Sequence, residues 1–351
     1  MERQNNTNEP KKRLPIDLNG IRGDLLFDGN LVRLGVIMVV SFVLMAALKP
    51  ELYLTSKNFM SMMYQFPEIG LFSIGVMIAM LMGGINLSVL GMGNLSAIVA
   101  AYTMIALMPT MGNLGAIVVG ILVALLVGVV CGALNGFLIA RVGIPAMLAT
   151  LGTMEMFSGI GIYLTSGSAV FGLPAGYEVI GANTLLGIPI PTVIFIVVAG
   201  LCTLLLQKKK FGLEIFLLGT NEKAARFTGI QTKKNIIQAH MLGGLLAAIA
   251  GIIMSSRTVS AKADYGSSYT LQCILVAVLG GVNPNGGFGK VTGVVMAILT
   301  LQFLSSGFNT MRADSYFKTF IWGAVLIATL IINYYGNKNQ ERRKKAAAAA
   351  K

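Results

Sequence analysis

Charge is what this chain has least of. Only 12% of its 351 residues are Asp, Glu, Lys or Arg, against about a quarter in a soluble domain. Too few ionised groups are present to furnish a water-facing surface. There is one histidine, His240, and three cysteines, Cys131, Cys202 and Cys273, far apart and each inside an apolar run. The cysteines read as small buried hydrophobes. With no CxxC spacing, no His/Cys cluster and no Ser/His/Asp set, neither a disulfide framework, a metal site nor a hydrolase is supported. The glycine loop with its lysine that cradles nucleotide phosphates is missing too. In place of these, 55% of the residues are hydrophobic and mean hydropathy is +0.75. They gather into runs of about 20, the length that crosses a bilayer as a helix.

Ten such runs fall at approximately 31–48, 60–82, 94–108, 114–140, 144–165, 189–206, 236–256, 267–282, 291–308 and 317–335. They predict an all-α, polytopic transmembrane helix bundle. Residues 1–30 are then a polar N-terminal segment, 31–335 the membrane domain and 336–351 a basic tail. The polar start is too long and too acidic for a cleaved signal peptide. With the N-terminus inside and ten alternating spans, 21 of the 27 Lys and Arg residues fall on the cytoplasmic side. Lys49, Lys57, Arg257, Lys262, Arg312 and Lys318 face out. That asymmetry is the positive-inside bias and places both termini in the cytoplasm. The net charge of +13 is thereby assigned to orientation, and no nucleic-acid partner is expected.

Backbone can break inside a membrane only where protein or water satisfies it. Two similar clusters mark such places on the cytoplasmic side: Gly83-Gly84-Ile85-Asn86, continuing through Leu87-Ser88, and Gly280-Gly281-Val282-Asn283. Each is either a tight turn with close packing or a discontinuous helix lining a path. Asn86 is also placed to cap the helix that restarts after it. Two carboxylates sit at membrane depth, Glu155 near the middle of the fifth run and Glu68 in the outer third of the second. An intramembrane carboxylate is a site candidate by default. His240, early in the seventh run, is expected to pack near the inner interface. Outside the membrane, 166–188 forms a glycine-rich outer loop and 207–235 the longest internal cytoplasmic segment.

The most specific pattern lies in that cytoplasmic segment, at Gly219-Thr220-Asn221-Glu222-Lys223-Ala224-Ala225-Arg226-Phe227-Thr228-Gly229-Ile230. Asn221 to Phe227 favours one or two helical turns, and Gly229 is a natural terminator. Small Ala224 and Ala225 permit close approach. Glu222 and Arg226 share a face, where an exposed pair would contribute only about 0.2–0.5 kcal/mol.

This stretch resembles the Gly-x-Asn-Glu-x-Ala-Ala-Arg-x-x-Gly-Ile segment of the ribose-type ABC sugar permeases. Gly83 to Ser88 resembles that family's Gly-Gly-Ile-Asp-Leu-Ser. Ile144-Pro145-Ala146, Ala149 to Thr153, Gly243 to Gly251 and Val278 to Gly281 are also similar. The resemblance spans about residues 55 to 335. It implies a permease working with a second permease copy or paralogue, a cytoplasmic ABC ATPase and an extracytoplasmic binding protein, in the inner membrane of a bacterium. The solute would be small and sugar-like, ribose by default, with autoinducer-2 or nucleosides as alternatives. ATP and magnesium would sit on the partner ATPase, leaving no cofactor or metal and no catalytic residue on this chain. Gly219, Asn221, Glu222, Ala224, Ala225, Arg226 and Gly229 would form the coupling contact. The translocation path is expected among Gly83, Gly84, Asn86, Ser88, Glu155 and Ser158. Three of these positions depart from the family: Asn86 stands for the usual Asp, Ser158 for a frequent Arg and Glu155 for an apolar residue. A reading from another class, an ion-coupled secondary transporter, has only Glu155 and Glu68 to draw on.

Overall fold

The computed structural model describes residues 29–314 and 316–331. The expected basic tail at 336–351, and the N-terminal segment up to residue 28, lie outside the described residues. The helices in chain order are α1 (Gly29–Leu48), α2 (Pro50–Tyr53), α3 (Ser56–Leu81), α4 (Val89–Phe137), α5 (Ala146–Thr165), α6 (Val179–Ala182), α7 (Ile190–Lys208), α8 (Lys210–Thr220), α9 (Glu222–Phe227), α10 (Thr232–Thr258), α11 (Tyr269–Leu279), α12 (Val291–Thr310) and α13 (Tyr316–Ile331). A π turn, Leu138–Val142, joins α4 to α5. A two-stranded hairpin, β1 (Thr184–Leu185) with β2 (Ile188–Pro189), precedes α7. Among the described residues, seven helices are long and apolar enough to cross a membrane, and α11 and α13 are shorter apolar helices.

The third and fourth runs are not separated by a loop. They form the two helical arms of α4, which meet at a kink at Gly112, where φ is 71° and ψ 175°. No residue with a Cβ adopts that backbone readily, so glycine supplies the bend where Pro109 and Asn113 weaken the helix on either side. Each arm runs for roughly 35 Å at 1.5 Å per residue, enough to cross a hydrocarbon core.

Burial separates core helices from lipid-facing ones. The most apolar windows of α3 and α10 are 83% and 67% buried, whereas those of α1, α4, α5 and α7 are 17–33% buried. The central helix, α10, is gripped by both arms of α4 through glycine. Gly93 lies against Gly251, Gly128 against Gly244, Gly132 against His240 and Gly136 against Ile237, each too close for a methyl group. In lipid, where apolar burial gives no advantage over tails, backbone-to-backbone packing of this kind supplies the dispersion contact that holds helices together. An ion pair between a buried and a partly exposed side chain adds a polar tie, with Arg257 Nη2 of α10 lying 2.9 Å from the buried Glu68 Oε2 of α3. His240 is also buried, its Nδ1 2.9 Å from the Ile236 carbonyl oxygen.

One end of α10 is closed by the segment 166–188. Tyr177 is buried, donates to the Ile252 carbonyl at 3.2 Å and lies 2.8 Å from Ser255 Oγ. Ser256 Oγ donates back to the Tyr177 carbonyl at 2.6 Å. Burial pushes the Tyr177 phenol up to about 12, so it stays a protonated donor. The segment 207–235 lies at the opposite end of α10.

Candidate coupling surface and translocation path

Six residues of the expected coupling segment are carried by α9 and its two flanks. Asn221 is its N-cap, with Oδ1 accepting from the Ala224 N–H at 3.0 Å. Gly229 ends it in the left-handed region at φ 83°, as a C-terminal glycine should. The two-turn helix presents Glu222, Lys223, Ala224 and Arg226 to solvent and turns Ala225, 4% exposed, inward. Glu222 and Arg226 make no ion pair with each other among the described residues. The largest apolar group on this surface is Phe227, 93% exposed. It is missed by reasoning from motifs, although a lone aromatic inside a polar run is a visible signal.

Gly219 joins α9 to the membrane part. A Cβ on Gly219 would collide with the Leu81 carbonyl at the end of α3 and with the Gly287 amide. The Gly287 N–H donates to that same Leu81 carbonyl at 3.0 Å. Gly83, at φ 83°, faces the Asn285 carbonyl, and Gly286, at φ 91°, packs on Gly83 and Gly219. The turn at Gly83 and the turn Asn285-Gly286-Gly287 that follows the second Gly-Gly-x-Asn cluster, some 200 residues apart in sequence, therefore meet around one glycine at the foot of α9. The neighbouring α8 is tied down as well: Glu214 lies 3.5 Å from Lys210 and accepts from Asn235 of α10 at 2.8 Å.

From Gly83 the chain turns back into the bundle. Gly84 packs on Ala146. Asn86 and Ser88 are 1% and 0% exposed, and Asn86 reaches the level of Gly243, roughly 16 Å along α10. A buried hydrogen-bond chain satisfies the broken backbone. Asn86 Oδ1 accepts from Ser88 N–H and Oγ at 3.0 and 2.8 Å, and Ser88 Oγ accepts from Asn135 at 2.7 Å. Asn135 Oδ1 accepts from Thr153 Oγ1 at 2.6 Å. Thr150 Oγ1 lies 2.9 Å from the Ile85 carbonyl and accepts from the Leu87 N–H at 3.2 Å. Asn135, Thr150 and Thr153 are partners that sequence alone did not single out. Ser158, half-buried, lies beside Gly91 of α4.

Glu155 stands apart from this cluster. It is the tenth of the 20 residues of α5 and is exposed, on a face that no other part of the described chain covers. It makes no hydrogen bond or ion pair among the described residues. Gly152 and Gly159 flank it with open space at their Cα atoms. Inside the chain, by contrast, the gap enclosed by Phe66, Gln272, Ile298 and Trp322 measures about 20 Å³, room for a water molecule and not for a sugar.

The permease component of the branched-chain amino acid transport system matches residues 58–330. This chain belongs to that permease family. Named relatives of the permease carry other solutes. It is 31% identical to the ribose import permease protein RbsC of Bacillus subtilis over 312 residues, 88% of this chain and 94% of that one. It is 29% identical to the D-allose transport system permease protein AlsC of Escherichia coli over 297 residues, 85% and 89% of the two chains. Identity to the autoinducer 2 import system permease protein LsrD of Photorhabdus temperata is 36% over 215 residues, 58% and 63% of the two. No solved structure matches the chain. As a permease it is a transport subunit and not an enzyme, and no group of metal-ligating side chains occurs among its described residues.

Proposed function

We propose that this permease imports a small sugar-like solute across the inner membrane of a bacterium as one of two permease copies or paralogues. An extracytoplasmic binding protein delivers the solute, and a separate cytoplasmic ATPase hydrolyses ATP with magnesium. The ten-span count rests on the seven long helices, with α4 as two spans joined at Gly112 and α11 and α13 as the remaining two. Cytoplasmic termini rest on the basic asymmetry.

The observation that carries the coupling role is the pairing of α9 with its glycine foot. An exposed Phe227 beside Arg226 is suited to a groove on a partner. Behind it, Gly219 touches the turns that end α3 and follow α11 without a flexible side chain between them. A push on α9 is thus delivered to two membrane helices at once. Rigid-body rocking of the two copies against each other then alternates access. The inward Ala225 belongs to the seating of α9, and the outward Glu222, Arg226 and Phe227 belong to recognition.

The path runs along the uncovered face of α5, where Glu155 lies. A carboxylate facing lipid at mid-depth costs on the order of 3 kcal/mol, so water or a partner must cover it. Asn86 and Ser88 hold the shape of the wall from behind. Exchanging the charges, with Glu222→Lys and Arg226→Glu, should leave the protein inserted but abolish uptake and weaken co-purification of the ATPase. Normal uptake together with normal ATPase binding would overturn the coupling assignment. The ligand carried by the purified binding protein decides between a monosaccharide, autoinducer-2 and a nucleoside.

A further inference from the structure

Leu148, Gly152, Glu155 and Gly159 follow one another along α5 at steps of four, three and four residues, which aligns them on one stripe. Glycine above and below leaves a groove along the helix backbone with a single carboxylate at its centre. Among the described residues the only helix packed broadly against α5 is α4, and α4 contains no Asp, Glu, Lys or Arg. The nearest cation along the chain is Arg141 in the π turn, below the inner end of α5. Glu155 therefore has no counter-ion among the described residues, and a carboxylate offers acceptors and no donors.

Resting on the reading that this face lines the path, we propose that Glu155 is a charge filter. It makes the path negative at mid-depth, one carboxylate from each copy. Neutral or cationic solutes rich in hydrogen-bond donors, such as polyols and amino sugars, pass it. Anionic solutes such as sugar acids and sugar phosphates are held back. Between low-dielectric walls the field of a fixed charge is focused along the water-filled gap, and local concentration of the favoured sign rises tenfold or more. Charge at this one position thus sets a solute class independently of the shape recognised by a binding protein.

The test uses the full transporter in membranes, with Cys131, Cys202 and Cys273 replaced by alanine and Gly152→Cys introduced. Its rates of modification by a trimethylammonium-bearing and a sulfonate-bearing methanethiosulfonate are compared, each divided by the reagent's rate with a free thiol. The cationic reagent should be favoured at least tenfold. Glu155→Gln should bring the corrected ratio to within threefold of unity, and Glu155→Asp should keep it high. Equal modification by both reagents, or a ratio unchanged by Glu155→Gln, overturns the filter and leaves the path standing. Lack of reaction with either reagent in every nucleotide state overturns the path reading itself. Gly159→Cys, about two turns further along the stripe, serves for the same measurement should Gly152→Cys fail to accumulate.

Discussion

Two faces look outward from this bundle at membrane depth with opposite chemistry. The second arm of α4 shows Leu114, Val118, Leu122, Leu126 and Val130, each half exposed or more, in steps of four. The uncovered face of α5 shows Leu148, Leu151, Gly152, Glu155, Met156 and Gly159. Both are bare in the single chain, yet only the first matches lipid tails. Exposure alone does not separate a lipid contact from a path. The difference lies in whether an ionisable group and small residues interrupt the alkyl row.

The sharpest way to break this comparison is to give the α4 face the chemistry of α5. Leu126→Asp should make insertion of that span less favourable by roughly 3 kcal/mol, cutting the amount of full-length protein in membranes more than tenfold. The native carboxylate at Glu155 is meanwhile tolerated. Near-normal accumulation of Leu126→Asp would mean that this face is not lipid-facing. A third bare surface extends the contrast to the cytoplasm. Phe227→Ala should weaken ATPase binding by about 2 kcal/mol, some thirtyfold, measured by titrating the purified ATPase. The membrane part should remain folded. Behind the α5 face, Thr153→Val removes the donor to Asn135 Oδ1 and should cost about 1 kcal/mol, read as a lower unfolding temperature in detergent. The smallest effect belongs to Leu122→Val, which keeps the alkyl row intact and should change stability by less than about 0.5 kcal/mol. A larger loss there would reveal a hidden protein contact.

Much of the local structure of the proposed coupling surface was legible. Asn221 as cap, a short helix to Phe227 and a terminating Gly229 follow from local propensities that operate within a few residues. The inward turn of Ala225 was not legible, because which side of a two-turn helix is covered depends on α8 and α10. The runs at 94–108 and 114–140 were read as two spans, with a gap between them that contains Gly112. The actual break at Gly112 is a backbone event of a single residue. Asn86 and Glu155 looked alike in sequence, as polar groups at depth. Packing separates them, burying the first against Gly243, Asn135 and Ser88 and leaving the second bare.

Composition by itself determined that this is a membrane helix bundle, because scarce charge and runs of about 20 apolar residues admit few other solutions. The ordered motifs determined the family. Only the tertiary structure decided which glycines are interchangeable and which are not. Gly219, Gly83 and Gly286 are distant in the chain and become indispensable because three backbones meet where no side chain fits. It also decided which polar residues are buried in the bundle and which are left bare, since burial is a property of neighbours and no residue carries its neighbours in its own sequence.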